Sequence, residues 1–247
     1  MRNSGLCSVS FRSLGYQEII SYAKKFGIDC IEWGSDVHAK ESDLETVKKI
    51  KEESLKNSIK CESYGTYFRL ENVDKFKEYL NAAKVLGVKV MRIWSGVKSS
   101  SDLTSEEYFN LVDLARQCGK LAFKEGIIVA FEYHVSTLTD NPSSTLKFLS
   151  DINLSNVKTY WQPMYWSKNT LEENIGSIKI LKEKIVNVHV YEWDKNKNRY
   201  DLHAGMNLWR EYLKHLNEGN FYLEFFKDNS LEQFEKDAKT LKELLRG

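Results

Sequence analysis

Acidic, imidazole and amide side chains follow several of the short apolar runs in this sequence. The clearest run lies in residues 126–134, which read G-I-I-V-A-F-E-Y-H. A short apolar run with Gly before it and polar residues after it is typical of a strand buried on both faces. Charged side chains are seldom buried unless an ion pair or a metal compensates them. Glu132 is therefore predicted to be paired or functional, and the alternative is a carboxylate that emerges into water where the strand ends.

Three further apolar runs carry polar side chains of the same kind. Gln162 lies in the sequence Trp-Gln-Pro, His189 lies between two valines, and Glu224 has large apolar residues on both sides. Singly, each has an ordinary interpretation, such as a solvated side chain or a hydrogen-bonded core histidine. Together with Glu132 they offer three oxygen ligands and one imidazole nitrogen, a set that suits one divalent ion such as Mn²⁺, Mg²⁺, Co²⁺ or Zn²⁺. Such an ion would also explain carboxylates in an apolar setting.

The elements that must position these residues alternate regularly. Eight segments with the composition of strands are each followed by a segment whose apolar residues have helical spacing. This alternation predicts a parallel sheet with helical crossovers, and eight units fit one closed α/β barrel, the (β/α)8 TIM barrel, as a single domain over residues 1–247. An open doubly wound sheet is the alternative, although no glycine-rich phosphate-binding sequence follows the first strand. The predicted strands are residues 6–11, 28–33, 59–64, 88–94, 127–134, 157–161, 185–191 and 221–226.

Tryptophan is concentrated at the predicted strand ends, which is where TIM barrels place their functional residues. The chain has six tryptophans, and five of them lie at or just after a strand end: Trp33, Trp94, Trp161, Trp166 and Trp193. Aromatic walls in such a place suit the apolar faces of a sugar ring or a polyol chain. Packing between loops would give the same pattern, so both interpretations stay open.

The order and spacing of these residues resemble a known family. Residues 27–34, G-I-D-C-I-E-W-G, followed by His38, are similar to the second strand of the xylose isomerase-like barrel superfamily, in particular its sugar phosphate isomerase/epimerase group with ketose 3-epimerases and inosose dehydratase. That family binds its metal with Glu, Asp, His and Glu at the ends of strands five to eight. The four polar residues described above occupy those places, and their separations of 30, 27 and 35 residues are similar to the family's. The resemblance covers essentially the whole chain.

By this resemblance the protein is an enzyme that moves a proton next to a carbonyl group. One divalent ion would hold adjacent oxygens of an open-chain ketose and stabilise the developing negative charge as a Lewis acid. Glu132 and Glu224, on opposite sides of the substrate, would act as general base and general acid. The result would be epimerisation, isomerisation or, where hydroxide leaves, dehydration.

The resemblance also implies which side chains bind the substrate. Polar and aromatic residues near the strand ends are expected to contact its hydroxyl groups: Glu32, His38, Glu62, Arg92, Trp94, His134 and Glu192. Lys195 or Arg199 is expected to meet a carboxylate or a phosphate where the substrate carries one. Gln162 departs from the family pattern, which usually has Asp there. Because an amide oxygen removes one negative charge, weaker binding of the ion and a changed preference among ions are expected.

Composition and charge narrow the functions that need to be considered. With 42% hydrophobic and 29% charged residues the chain has the composition of an ordinary globular protein, and its net charge of +1 gives no electrostatic reason to expect nucleic acid or an anionic membrane. No apolar run approaches the roughly 20 residues that cross a bilayer. Four cysteines without C-x-x-C spacing and a start without a signal-peptide core favour a cytoplasmic protein. The expected partner is a small sugar or polyol, phosphorylated or not, and a homo-oligomer is left open.

Two other functions are alternatives to an isomerase. An endonuclease for abasic DNA sites, from the same superfamily, needs several zinc ions, many histidine ligands and a basic face, so five histidines and a net charge of +1 argue against it. A barrel that binds a sugar or a metal without catalysis, with Gln162 as the mark of lost chemistry, stays open.

Overall fold

Eight parallel strands alternate with eight α-helices in residues 2–246, the part of the chain that the computed structural model describes. The strands are β1 (Arg2–Cys7), β2 (Cys30–Gly34), β3 (Lys60–Gly65), β4 (Val90–Ile93), β5 (Ile128–Phe131), β6 (Val157–Trp161), β7 (Ile185–Val190) and β8 (Gly219–Leu223). The helices are α1 (Tyr16–Phe26), α2 (Leu44–Lys56), α3 (Val73–Leu86), α4 (Ser105–Lys124), α5 (Pro142–Ile152), α6 (Leu171–Leu181), α7 (Met206–Leu213) and α8 (Leu231–Arg246). Each strand pairs with its neighbours in sequence, and pairing of β1 with β8 closes the barrel. The predicted (β/α)8 TIM barrel is confirmed, and the alternative of an open sheet is wrong.

The helix boundaries follow from local chemistry. α4 begins with a capping box, in which the Thr104 side chain accepts from the backbone N–H of Glu107 and the Glu107 carboxylate accepts from the backbone N–H of Thr104. α1 and α3 end at Gly27 and Gly87, whose φ values of 72° and 81° are in the left-handed region that glycine adopts easily. Among the described helices none is long and apolar enough to cross a membrane.

The apolar core has two layers. The larger layer lies between the strands and the helices, and the smaller one lies inside the barrel. The inner layer consists mainly of small residues and two tyrosines: Cys7, Val9, Cys30, Val90, Ala130, Tyr160 and Tyr222. Because successive side chains of a strand point to opposite faces, the residue two positions after an inner-layer residue also points inward.

The first strand lies nearer the N-terminus than predicted. Residues 6–11 were expected to form it, but β1 spans Arg2–Cys7 and residues 8–11 form a short 3-10 helix. The polar residues at the start are held by pairing with β8, since Arg2 lies opposite Gly219 and its guanidinium donates to the carbonyls of Leu213 and Leu216. Hydrophobic patterning carries no signal for such contacts.

The strands that bear the predicted site are shorter than expected at their C-terminal ends. β5 ends at Phe131 and β8 ends at Leu223, so Glu132 and Glu224 are the first residues after their strands. Each still donates its backbone N–H to the neighbouring strand, Glu132 to Ile93 and Glu224 to Val190. The backbone at both positions is therefore fixed by the barrel although the regular strand has ended.

Candidate metal and active site

Four polar side chains converge at the C-terminal ends of β5 to β8. Glu132, Gln162 and Glu224 each lie two residues after an inner-layer residue, and strand alternation turns all three towards the barrel axis. His189 lies within β7 and is fully buried, and the other three are at most 9% exposed. The structure thus brings together the four residues predicted to bind a metal.

His189 is the centre of this group. Its Nδ1 atom lies 3.2 Å from Oε1 of Gln162 and 3.4 Å from Oε2 of Glu224, and its Nε2 atom lies 3.3 Å from Oε1 of Glu32. One ligand atom each from Glu132, His189 and Glu224 can be chosen so that all lie within 4.8 Å of one another. The imidazole therefore has one nitrogen towards the cavity and the other towards a deeper carboxylate.

The buried charges of this group shift each other's pKa. Burial lowers the pKa of His189, but the carboxylates of Glu224, Glu32 and Glu132 outweigh this effect and raise it to about 9. Burial raises the pKa of Glu224 to about 7, with His189 acting in the opposite direction and the charge of Glu132 adding to the rise. Carboxylates thus outnumber the single imidazole in this group, and such an arrangement attracts a further positive charge.

Glu32 lies below the cavity and carries the hydrogen bonds that fix His189. Its Oε2 atom accepts from Ser63 at 3.0 Å and from the Tyr160 hydroxyl at 2.7 Å, and its Oε1 atom accepts from Nε of Arg92 at 3.1 Å. Burial acts to raise the pKa of Glu32, but the Arg92 guanidinium and His189 hold it well below its usual range. Glu32 is therefore a charged carboxylate inside the barrel, held by donors from four strands.

Arg92 joins the deeper layer to the cavity. Its guanidinium forms an ion pair with Glu32 through Nε and with Glu132 through Nη1, and all three side chains are buried. The space for this pairing comes from Gly65, because a Cβ atom there would lie 2.8 Å from both Nη2 of Arg92 and Oε1 of Glu32. The positive charge of Arg92 therefore compensates the carboxylates of Glu32 and Glu132, whose burial without a cation would be energetically unfavourable.

The donor set fits one divalent ion. In the His189 tautomer with its hydrogen on Nε2, that nitrogen donates to Glu32 and leaves the lone pair of Nδ1 for a metal, which is the usual carboxylate–histidine–metal arrangement. Glu132, Gln162 and Glu224 would supply the oxygens. Cys7 with Glu32 and His189 forms a second compact group. Burial raises the pKa of the Cys7 thiol well above its ordinary value, which disfavours the thiolate needed for ligation.

A cavity of about 200 Å³ opens above these ligands. Six of the predicted residues line it, namely Arg92, Trp94, Glu132, His134, Gln162 and Glu224. His134 contributes an imidazole whose Nε2 atom lies 3.2 Å from the Tyr165 hydroxyl, and its ring centroid is 4.8 Å from that of Trp94. The cavity therefore combines charged groups at its base with an aromatic wall.

Six residues predicted to bind substrate do not line this cavity, and one of them, Glu32, lies beneath it. His38 is held by Ser8 and the carbonyl of Leu14, and Arg199 donates to the carbonyl of Phe226. Glu62 pairs with Lys89, and Glu192 lies beside Gly205. Lys195 is exposed in the loop between β7 and α7. The structure therefore does not bring these six residues to the cavity lining, and their contact with a substrate stays a prediction.

Trp193, one of the tryptophans that the sequence placed at a strand end, lies in the cavity wall, whereas five other cavity residues were not predicted as site residues: Tyr67, Arg69, Tyr165, Tyr191 and Phe225. Tyr191 had a usable signal, because it lies two residues after His189 and alternation places both on the inner face. Arg69 had none, since it belongs to an irregular segment between β3 and α3 whose path the sequence pattern does not determine.

The closed barrel and the polar cluster at its C-terminal mouth define a TIM-barrel protein of the enzyme type. The family model described as xylose isomerase-like TIM barrel matches residues 20–244, and the chain belongs to this family. The resemblance inferred from the sequence is thereby confirmed.

A curated relative shares part of the sequence. A 3-dehydroshikimate dehydratase from Bacillus anthracis is 26% identical over 167 residues, which are 62% of this chain. The match spans 59% of that relative's own length.

Solved structures share the fold over nearly the whole chain. The probable 3-DHS dehydratase AsbF from Bacillus anthracis has a TM-score of 0.82 at 20% identity, covering 98% of this chain and 99% of that one. The IolI protein with a bound zinc atom has a TM-score of 0.76 at 17% identity and 98% coverage of both chains. An L-ribulose 3-epimerase has a TM-score of 0.78 at 12% identity, covering 100% of this chain and 95% of that one. At identities of 20% or less, these three likenesses show the fold.

Proposed function

We propose that this protein is a divalent-metal-dependent isomerase or epimerase that transfers a proton at the carbon next to a carbonyl group of a sugar or polyol. The observation that carries the proposal is the convergence of Glu132, Gln162, His189 and Glu224 on one cavity, with Nδ1 of His189 directed at the other ligands. Fold-level similarity supports the class of reaction but does not select a substrate.

The four converging residues hold the ion in this proposal. An ion held there would supply Lewis-acid stabilisation of the negative charge that develops on the carbonyl oxygen of the substrate. Mn²⁺, Mg²⁺, Co²⁺ and Zn²⁺ are all compatible with three oxygens and one nitrogen. Gln162 makes the site less negative than an aspartate would, which favours ions that bind neutral ligands well.

The two carboxylates move the proton. Glu132 and Glu224 both line the cavity, so one withdraws the proton from the substrate carbon and the other delivers a proton. Arg92 fixes the Glu132 carboxylate from below through its ion pair. Delivery to the same carbon from the opposite face gives an epimer, and delivery to the neighbouring carbon gives an isomer.

The remaining cavity residues orient the substrate. Trp94 and Trp193 belong to the aromatic wall of the cavity, along which an apolar face of a sugar or ring can lie. The Trp94 indole N–H donates to the carbonyl of Thr66, which fixes the ring. His134 and Tyr165 offer hydrogen bonds for hydroxyl groups beside that wall. Such positioning is a large part of the rate that enzymes of this kind achieve.

The test is solvent proton exchange with and without metal. Protein stripped with EDTA and reloaded with Mn²⁺ is incubated in D₂O with ketopentoses, ketohexoses, an inosose and 3-dehydroshikimate, and deuterium at the carbon next to the carbonyl is followed by NMR. Replacement Glu224→Gln removes the ionisable group, and we expect exchange to fall by about 10³-fold. Glu243→Gln, on the outer surface of α8, is the matched control and should exchange like the unaltered protein.

Two results would contradict the proposal. The first is a protein that copurifies with no divalent ion and whose melting temperature does not respond to added Mn²⁺ or Zn²⁺, which would favour a barrel without metal chemistry. The second is full exchange activity in Glu224→Gln, which would remove this carboxylate from the proton transfer.

A dehydratase is the second candidate, and the sequence match to a 3-dehydroshikimate dehydratase favours it. The first step is the same withdrawal of a proton next to the carbonyl. The C–O bond of a hydroxyl one carbon further then breaks, the second carboxyl group protonates the departing oxygen, and water leaves. In the same substrate panel this reaction is distinguished by the ultraviolet absorbance of the conjugated product.

A further inference from the structure

Arg69 places a positive charge at the wall of the cavity. It lies in the segment between β3 and α3, and its guanidinium carbon is 4.2 Å from the centroid of the Trp94 ring. Trp94 is itself held by its hydrogen bond to Thr66 and stacks with Tyr67 at 6.2 Å between ring centroids. Stacking on an immobilised indole restricts the arginine side chain and leaves the edge of its guanidinium free to donate.

No carboxylate of the described residues 2–246 forms an ion pair with the Arg69 guanidinium. The neighbouring acid Glu71 uses its carboxylate to accept the backbone N–H of Arg69 at 2.8 Å. The donors of this guanidinium are therefore available to a ligand in the cavity.

The other charges at the cavity are compensated within the protein. Arg92 is shared between Glu32 and Glu132, and Glu224 lies 3.4 Å from Nδ1 of His189. A metal at the base would be balanced by the same carboxylates. Arg69 is thus the positive charge that remains unmatched at the wall, and it lies beside the aromatic face proposed for the substrate.

We propose that the natural substrate carries an anionic group, a carboxylate or a phosphate, which Arg69 binds at the wall of the cavity while the reacting carbonyl lies at its base. This inference rests on the proposed function. The planar fork of a guanidinium matches two oxygens of either group, and the hydrogen bonds are strengthened by the opposite charges. Arg69 then determines specificity, because a neutral sugar leaves its charge without a partner.

The structure favours Arg69 over the two cations that the sequence indicated. Arg199 packs behind the wall, with its guanidinium carbon 5.0 Å from the Trp193 ring and 5.2 Å from the Phe225 ring. Its Nη1 atom donates to the side chain of Asn229 at 3.2 Å. Lys195 lies outside the cavity lining. Arg69 is the cation with both access and free donors.

The experiment uses two pairs of ligands that differ in charge. Shikimate and methyl shikimate form the carboxylate pair, and fructose 6-phosphate and fructose form the phosphate pair. Each is titrated calorimetrically into Mn²⁺-loaded protein, so the readout is binding and does not depend on turnover. We expect the anionic member of one pair to bind at least about 10-fold more tightly than the neutral member, and the pair that responds identifies the anion.

Variants assign that preference to a residue. Arg69→Gln should abolish the difference in affinity between the anionic and the neutral member of the pair, and Arg69→Lys should keep a part of it. Arg210→Gln is the matched control, since it removes one arginine charge from an exposed ion pair with Glu243 on the outer helices. It should keep the full preference.

Three results would overturn the inference. Equal binding within both pairs, a preference that survives Arg69→Gln, or a preference lost in Arg199→Gln and not in Arg69→Gln would each do so. If neutral sugars exchange deuterium while neither pair shows a preference for charge, the proposed function stands and only the inference on Arg69 fails. If no ligand of either pair binds and no substrate exchanges, both fail together.

Discussion

The two halves of the barrel mouth use buried polar residues differently. The ligand half, from β5 to β8, contributes Glu132, Gln162, His189 and Glu224, and the support half, from β2 to β4, contributes Glu32, Ser63 and Arg92. Three residues of the ligand half line the cavity, with His189 directly beneath. Of the three residues named for the support half, Arg92 reaches the cavity lining, whereas Glu32 and Ser63 lie beneath it.

The difference shows how one barrel tolerates three buried glutamates. Arg92 of the support half pairs with Glu32 and Glu132, and Glu32 in turn holds the imidazole of His189. The support half thus supplies the compensating charge and the orienting hydrogen bond, and the ligand half retains groups that are free to coordinate. If the two halves have these separate roles, substitutions in the support half should change the stability of the protein and its metal affinity, because they alter contacts with residues of the ligand half.

The largest effect is expected from Arg92→Met. The replacement fills a similar volume but leaves Glu32 and Glu132 as buried carboxylates without their cation, which should lower the free energy of unfolding by about 3–5 kcal/mol. Urea denaturation in EDTA measures it. Arg210→Met, in an exposed pair with Glu243, is the control and should change stability by less than about 1 kcal/mol. A loss for Arg92→Met as small as that of the control would mean that the two halves are not coupled electrostatically.

A smaller effect is expected from Glu32→Gln. An amide there no longer fixes the tautomer of His189 by a charged hydrogen bond, so the affinity for Mn²⁺ or Zn²⁺ should fall by about 10–100-fold. Metal titration calorimetry measures this directly. Glu62→Gln is the matched control, because Glu62 lies on the adjoining strand but pairs outward with Lys89. Equal metal affinity in the two variants would exclude a positioning role for Glu32.

The smallest effect concerns a buried carboxylate outside both halves. Asp237 on α8 is 4% exposed and accepts hydrogen bonds from the backbone of Leu202 at 3.0 Å and from Gln233 at 2.9 Å. Burial raises the pKa of Asp237 to about 6. Burial also acts to raise the pKa of Glu32, but Arg92 and His189 outweigh it and lower that pKa. The two carboxylates thus differ in that Glu32 has Arg92 and His189 beside it, whereas Asp237 accepts hydrogen bonds from neutral donors.

The pH dependence of Asp237 follows from the sign of its shift. The folded protein binds this proton more tightly than the unfolded chain, so the stabilisation is complete below pH 4 and is lost as the pH rises to about 6. One such group changes the free energy of unfolding by at most about 1.4 kcal/mol per pH unit. Asp237→Asn should remove this slope between pH 4 and 6 in urea denaturation, and an unchanged slope would assign it to other groups.

The sequence was sufficient for the barrel and for the ligand half of the site. Short apolar runs ending in Glu132, His189 and Glu224 are local signals, and alternation carries their side chains to the same place. The support half was recognised less well. Glu32 and Arg92 were predicted as substrate contacts, but they form an ion pair with each other. This pair joins β2 with β4 across a register shift between β2 and β3, and the local sequence pattern does not predict that shift.

Loops limited the prediction of the cavity wall. His38 and Glu192 come four and two residues after their strands end, and His134 comes three residues after β5 ends. Local packing nevertheless keeps His38 and Glu192 out of the cavity lining. Arg69 enters the wall from an irregular segment, and its position depends on contact with Trp94, which is distant in sequence. Such long-range contacts of loop residues are determined by the assembled barrel and not by spacing along the chain.

The tryptophans of the aromatic wall also allow ligand binding to be followed by their own emission. Of the six tryptophans, Trp94 and Trp193 line the cavity, whereas Trp33, Trp161 and Trp209 are at most 1% exposed in the core. A ligand that displaces water from the first two indoles changes their emission, while the core indoles give a constant background. Intrinsic fluorescence of the unlabelled chain therefore reports occupancy of the cavity for ligands that are never turned over.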